Sequence, residues 1–122
     1  MTVQELYENI GGSYESARRI LQMDRLIDRF IRKFMDDETH GRLMAAYAEK
    51  DGAKMFESSH AMKGVCANLG LDALSALAGE IADEFRPGRE RKWDDTVLAE
   101  KMDALNVLYA RTQEGIRRFS AQ

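Results

Sequence analysis

Proline and cysteine are nearly absent from this chain of 122 residues, with one of each, Pro87 and Cys66. A lone cysteine excludes an intrachain disulfide and a zinc cage of several thiolates, and a reducing cytoplasm is the expected setting. A single proline leaves long stretches free to run as helix. No apolar run approaches the roughly 20 residues that cross a bilayer, so no membrane association is expected. Met1–Glu5 has neither a basic region nor an apolar segment, and no signal peptide is expected. Basic excess is missing too: the net charge is -3, which argues against a nucleic-acid surface. There is no solenoid-type repeat and no low-complexity tract. What remains is ordinary for a globular protein, 44% hydrophobic and 32% charged. The length fits one domain over residues 1–122 with a modest core.

The apolar residues recur with helical spacing and almost nowhere alternate with period two, which predicts an all-α chain. Val3–Ile10 reads as a short helix ending at Gly11-Gly12, and Ser13 caps a second one through Ile20. Met23, Leu26, Ile27, Phe30, Ile31 and Phe34 form one stripe of a helix running to about Asp36. Leu43, Met44 and Tyr47 belong to a further amphipathic stretch, expected to continue that helix after a break near His40-Gly41. Three more helices follow, at about Ala53–Leu69, Asp72–Arg86 and Asp95–Phe119, separated by Gly70, by Pro87-Gly88 and by a polar loop around Trp93. Short connections between long amphipathic helices predict an up-and-down four-helix bundle, with the two short N-terminal helices covering one end or side.

His60 stands on the wrong side of its helix to be core. At about 100° per residue, Met55, Ser58, Met62, Val65, Cys66 and Leu69 cluster opposite it. Its own face carries Phe56, Glu57, Lys63, Gly64, Ala67 and Asn68. Gly64 is placed mid-helix, where glycine costs about 1 kcal/mol relative to alanine, and with Ala67 it leaves the imidazole sterically open. An imidazole keeps a nucleophilic nitrogen near neutral pH, and a cation one turn on, Lys63, can offset charge added to it. These are the needs of a phosphate carrier.

The run Ser59-His60-Ala61-Met62-Lys63-Gly64-Val65-Cys66-Ala67-Asn68-Leu69-Gly70-Leu71 resembles the signature of the histidine phosphotransfer (HPt) family: His, two residues, Lys-Gly, a small-residue turn and Asn-Leu-Gly. The helix layout resembles that family over nearly the whole chain. The resemblance implies that His60 is the phosphoacceptor, Lys63 the phosphoryl charge partner and Gly64 the access residue. Phe56, Glu57, Ala67 and Asn68 would form the docking face for response-regulator receivers and for hybrid or chemotaxis-type histidine kinases. It implies a phosphocarrier without kinase activity of its own and without a cofactor, the magnesium ion belonging to the receiver. Transfer then rests on positioning and charge neutralisation. A cytoplasmic monomer is expected, and the initial Met1 favours a freestanding protein over a piece of a larger kinase. One departure stands out. Some members offer a glutamine from the following helix to the histidine ring, and Ala82 occupies that place here.

Blander readings stay open beside these. Lys63 also suits a solvated surface, Gly64 a close helix–helix contact and Asn68 a helix terminus. His40 reads as a surface residue, Cys66 as a small buried hydrophobe, and Arg86–Lys92 as a solvated loop within reach of an acidic receiver surface. A helical adaptor that docks receivers without being phosphorylated, and the phosphotransfer module of a chemotaxis-type kinase, are the competing functions.

Overall fold

Most helices begin where the sequence supplies a side-chain acceptor for their free N–H groups; those starting at Asp24 and Asp72 do not. In the computed structural model, which describes residues 1–122, helix α1 (Val3–Ile10) starts at a capping box between Thr2 and Glu5. Ser13 caps α2 (Tyr14–Leu21) through the Ser16 N–H. Helix α3 (Asp24–Lys33) tightens into a 3-10 turn at Phe34–Asp36. Then come α4 (Thr39–Glu49), α5 (Gly52–Asn68) and α6 (Asp72–Glu84). The chain closes with α7 (Asp95–Ser120), capped by Asp94.

The bundle closes as a ring. Helix α4 packs on α5, α5 on α6, α6 on α7, and α3 with its 3-10 turn returns to α7. One wall is therefore built in two pieces, α3 and α4. Helices α1 and α2 cover the structure as expected, α1 against α7 and α2 against α3 and α5. A continuous core of 23 buried apolar residues draws on all seven α-helices, so no helix stands outside it. Each large side chain fully buried there, such as Ile31, Met62 or Ile81, contributes roughly 1.5–3 kcal/mol of transfer free energy.

Four expectations need correction. The break between α3 and α4 lies at Asp37-Glu38, not at His40-Gly41, which are inside α4. Asp37 is extended, at ψ 135°, and its carboxylate accepts the Thr39 N–H and hydroxyl, restarting the helix there. The α3 stripe is narrower than its spacing suggests: Ile27, Ile31 and Phe34 are buried, while Met23 and Phe30 are exposed. Helix α6 stops at Glu84, two residues early, because that side chain turns inward. Glu84 is 3% exposed and accepts N–H groups from Lys92 at 3.0 Å and Trp93 at 2.8 Å, and Arg91 Nε at 2.7 Å. Burial acts to raise its carboxyl pKa, and the hydrogen bonds from Arg91, Trp93 and Lys92 outweigh it, leaving the pKa below the ordinary 4.5. The basic loop is thus tied down at Arg91–Trp93 instead of being wholly solvated.

The turn that sets the site is Leu69–Leu71, between α5 and α6. Gly70 is left-handed at φ +70°, and a Cβ there would lie 2.4 Å from the Ser13 carbonyl oxygen. Its carbonyl accepts the Ser13 N–H at 2.8 Å, and the Tyr7 hydroxyl donates to the Leu69 carbonyl at 2.5 Å. The end of α5 is so fastened to both N-terminal helices, and α6 returns antiparallel along α5.

Candidate functional site

Helix α5 buries Met55, Met62 and Cys66 together with two serines that neutralise themselves. Ser58 donates to the Lys54 carbonyl at 2.7 Å and Ser59 to the Met55 carbonyl at 2.6 Å, so neither hydroxyl is left unpaired. With that side fixed inward, His60 is exposed, as are Glu57, Lys63, Gly64 and Asn68; Phe56 and Ala67 are half-buried. The structure brings all seven side chains of the expected face together on one flank of α5.

Gly64 is free of any packing requirement. A Cβ built on it meets nothing within 4 Å, so the helix–helix contact that a mid-helix glycine often signals does not exist here. The space beside His60 is open to solvent. Lys63 lies differently from a lysine waving in water. Its stem runs across Gly79 of α6, where an added Cβ would sit 3.3 Å from Lys63 Cδ. Its ammonium makes no ion pair, and the shallow surface it borders on α6 includes Asp72, Glu80 and Asp83.

The residues that sequence reasoning missed come from α6 and its end. Phe56 stacks on the His60 ring, with centroids 5.4 Å apart and planes 18° from parallel. The Arg86 guanidinium lies over the Phe56 ring at 5.4 Å and donates to Asp83 Oδ1 at 3.0 Å. That hydrogen bond is the main reason the Asp83 carboxyl titrates below its ordinary value; slight burial opposes it, and the charges of Arg86, Arg89 and Lys63 add to it. Ala82, only 1% exposed, has no group to offer the imidazole. A signal for these neighbours was present. In an antiparallel hairpin, residues equally far from the turn face each other, and Lys63 with Gly79, His60 with Ala82 and Phe56 with Arg86 are each symmetric about Leu71.

Elsewhere the chemistry is quiet. Cys66 is fully buried, and burial pushes its thiol up to about 12, so it is neither nucleophile nor metal ligand at neutral pH. No three His, Cys, Asp or Glu side chains stand close enough to hold a metal ion. No helix is long and apolar enough to cross a membrane. His40, expected on the surface, is half-buried: its ring stacks on Tyr109 at 3.7 Å, and Nε2 is 2.7 Å from Asn106 Oδ1. An apolar groove of about 430 Å³ opens beside the C-terminal half of α5, between Ile20, Leu21, Phe30, Val65 and Leu69, with Asn68 at its rim.

Comparison with known proteins identifies a family. The Hpt domain family model covers residues 15–115, from the second residue of α2 to the last turns of α7. No curated protein and no solved structure matches the chain. The matched span holds α3 to α6, most of α7 and the complete run from His60 to Leu71. The chain therefore belongs to the Hpt domain family, the helical phosphocarrier modules that serve phosphotransfer in two-component signalling between kinases and response-regulator receivers.

Proposed function

We propose that His60 is the phosphoacceptor of a single Hpt domain spanning residues 1–122. It takes a phosphoryl group from a receiver aspartate or a histidine kinase and passes it to a response-regulator receiver. The observation that carries this reading is the exposed imidazole on the outward face of α5, beside a glycine with open space around it. In the forward step, an unprotonated ring nitrogen of His60 attacks phosphorus. The P–N bond forms as the P–O bond to the partner's aspartate breaks, the aspartate leaves as carboxylate, and the other ring nitrogen keeps its hydrogen. Transfer onward reverses these bonds on a second receiver. Magnesium and the acidic pocket come from the receiver, and this chain needs no cofactor.

Lys63 offsets the phosphoryl charge from one helical turn away, its ammonium uncommitted to any carboxylate. Gly64 admits the partner. Phe56, Glu57, Ala67 and Asn68 border the contact, and the apolar groove at Val65 and Leu69 extends it toward α2 and α3. The carrier works as a monomer in the cytoplasm.

The test is mass spectrometry after incubation with phosphorylated receivers and histidine kinases of the source organism. An acid-labile, alkali-stable gain of one phosphate on His60, lost in His60→Gln with the helical fold intact, is expected. No gain with any of them would leave a receiver-docking adaptor as the better account.

A further inference from the structure

An exposed imidazole on a helix has a soft terminal torsion and samples a broad range of ring planes. Attack on phosphorus uses the nitrogen lone pair, which lies in the ring plane and must align with the bond being broken. Something should hold that plane, and a hydrogen bond from across the hairpin does not, because Ala82 stands there. We propose that Phe56, clamped by Arg86, is the positioning residue of the His60 ring. The inference rests on the reading of His60 as the phosphoacceptor.

The geometry is an offset stack, 5.4 Å between centroids at 18°, between residues one turn apart on α5. The Phe56 ring is itself restrained. Arg86 lies over it, and Asp83 holds Arg86 by the 3.0 Å hydrogen bond. The restraint thus runs from α6 through Arg86 and Phe56 to the imidazole. A stack differs from a hydrogen bond in what it selects. It restricts the plane of the ring but does not distinguish its two nitrogens, so Phe56 directs the lone pair without choosing the tautomer.

Docking and positioning by Phe56 have separable signatures in the Phe56→Leu variant, which keeps apolar bulk and loses the ring face. Rapid-quench transfer from a phosphorylated receiver, followed over receiver concentration, should show the maximal rate reduced about tenfold. The half-saturating concentration should stay within about twofold, and Phe56→Tyr should restore the rate. Proton NMR of the full chain should show the His60 ring protons displaced upfield by the Phe56 ring current, an effect lost in the Leu variant and kept in the Tyr variant. Arg86→Gln, which leaves the core untouched, should lower the maximal rate about threefold and broaden the same resonances. A change confined to the half-saturating concentration would make Phe56 a docking residue only, and undisplaced ring protons in the unsubstituted chain would remove the stack. Failure of the unsubstituted chain to take label would overturn the carrier reading and the role in transfer with it, while the ring protons would still decide the stack.

Discussion

The two histidines of this chain have opposite surroundings. His40, on α4 facing α7, is half-buried, flat against Tyr109 and bonded to the side-chain Oδ1 of Asn106 through Nε2. That nitrogen carries the proton it donates, and the stack and the hydrogen bond together hold the ring in place. His60, between Phe56 and open solvent, has a stacking neighbour and no hydrogen-bond partner. Chemistry at a histidine therefore depends here on what the fold withholds from it. A ring satisfied by its neighbours belongs to the structure, and a ring left unsatisfied is free to react.

Exchange of roles gives the sharpest test of that contrast. His60→Gln should abolish phosphate uptake and move stability by no more than about 0.5 kcal/mol, as an exposed substitution does. His40→Gln should keep uptake intact and lose about 1 kcal/mol of stability with its hydrogen bond and stack. Labelling assays paired with urea melts read both quantities. Uptake that survived in His60→Gln and vanished in His40→Gln would invert the assignment.

Glu84 extends the contrast to carboxylates. It is buried and bonded, while Asp83 beside it in sequence is held only by surface cations. Glu84→Gln should cost about 2–3 kcal/mol, the loss of charge-assisted hydrogen bonds to the Arg91–Trp93 segment. The pH dependence has a definite sign. A carboxyl whose folded pKa lies below the ordinary 4.5 contributes stability above that value and loses it as pH falls through the folded pKa. Acid titration of the melting midpoint should therefore show a steeper fall below about pH 4.5 in the natural chain than in the variant. Equal slopes would mean that Glu84 is not the group responsible.

Lys63 gives a smaller effect, confined to the site. Lys63→Ala should slow transfer or shorten the phosphohistidine lifetime by about tenfold, the scale of one charge-assisted contact to a phosphoryl group. Stability should move by no more than about 0.5 kcal/mol, since the ammonium pairs with nothing and only the stem's contact with Gly79 is lost. Unchanged rates and lifetime would take that role from it.

The bundle was legible because its signals are local and redundant: the cap at Ser13, the stops at Gly70 and Pro87-Gly88, and the apolar spacing all agree. His60 was legible for the same reason, since helical periodicity alone placed it opposite Met62 and Cys66. What the sequence hid was pairwise and long-range. His40 looked like a surface residue because its partners, Asn106 and Tyr109, are on α7. Glu84 gave no signal of its own, because the N–H groups that bury it belong to a loop with no pattern of its own. The Asp37 break was misplaced at a glycine, because Gly41 is a stronger local punctuator than an aspartate that caps its second neighbour.

Gly64 offers the smallest and most discriminating effect, because stability and function should move in opposite directions. Its surroundings are empty, so an alanine methyl fits without displacing anything. Removing a mid-helix glycine should then stabilise the chain by about 0.5–1 kcal/mol. The same methyl stands in the space through which a receiver must approach His60, so transfer should slow by a few-fold as the stability rises. A longer side chain, in Gly64→Gln, should slow it further while the helix stays intact. If Gly64→Ala were instead destabilising, the glycine would be serving the fold, and the open flank of α5 would lose its meaning as a way in to the histidine.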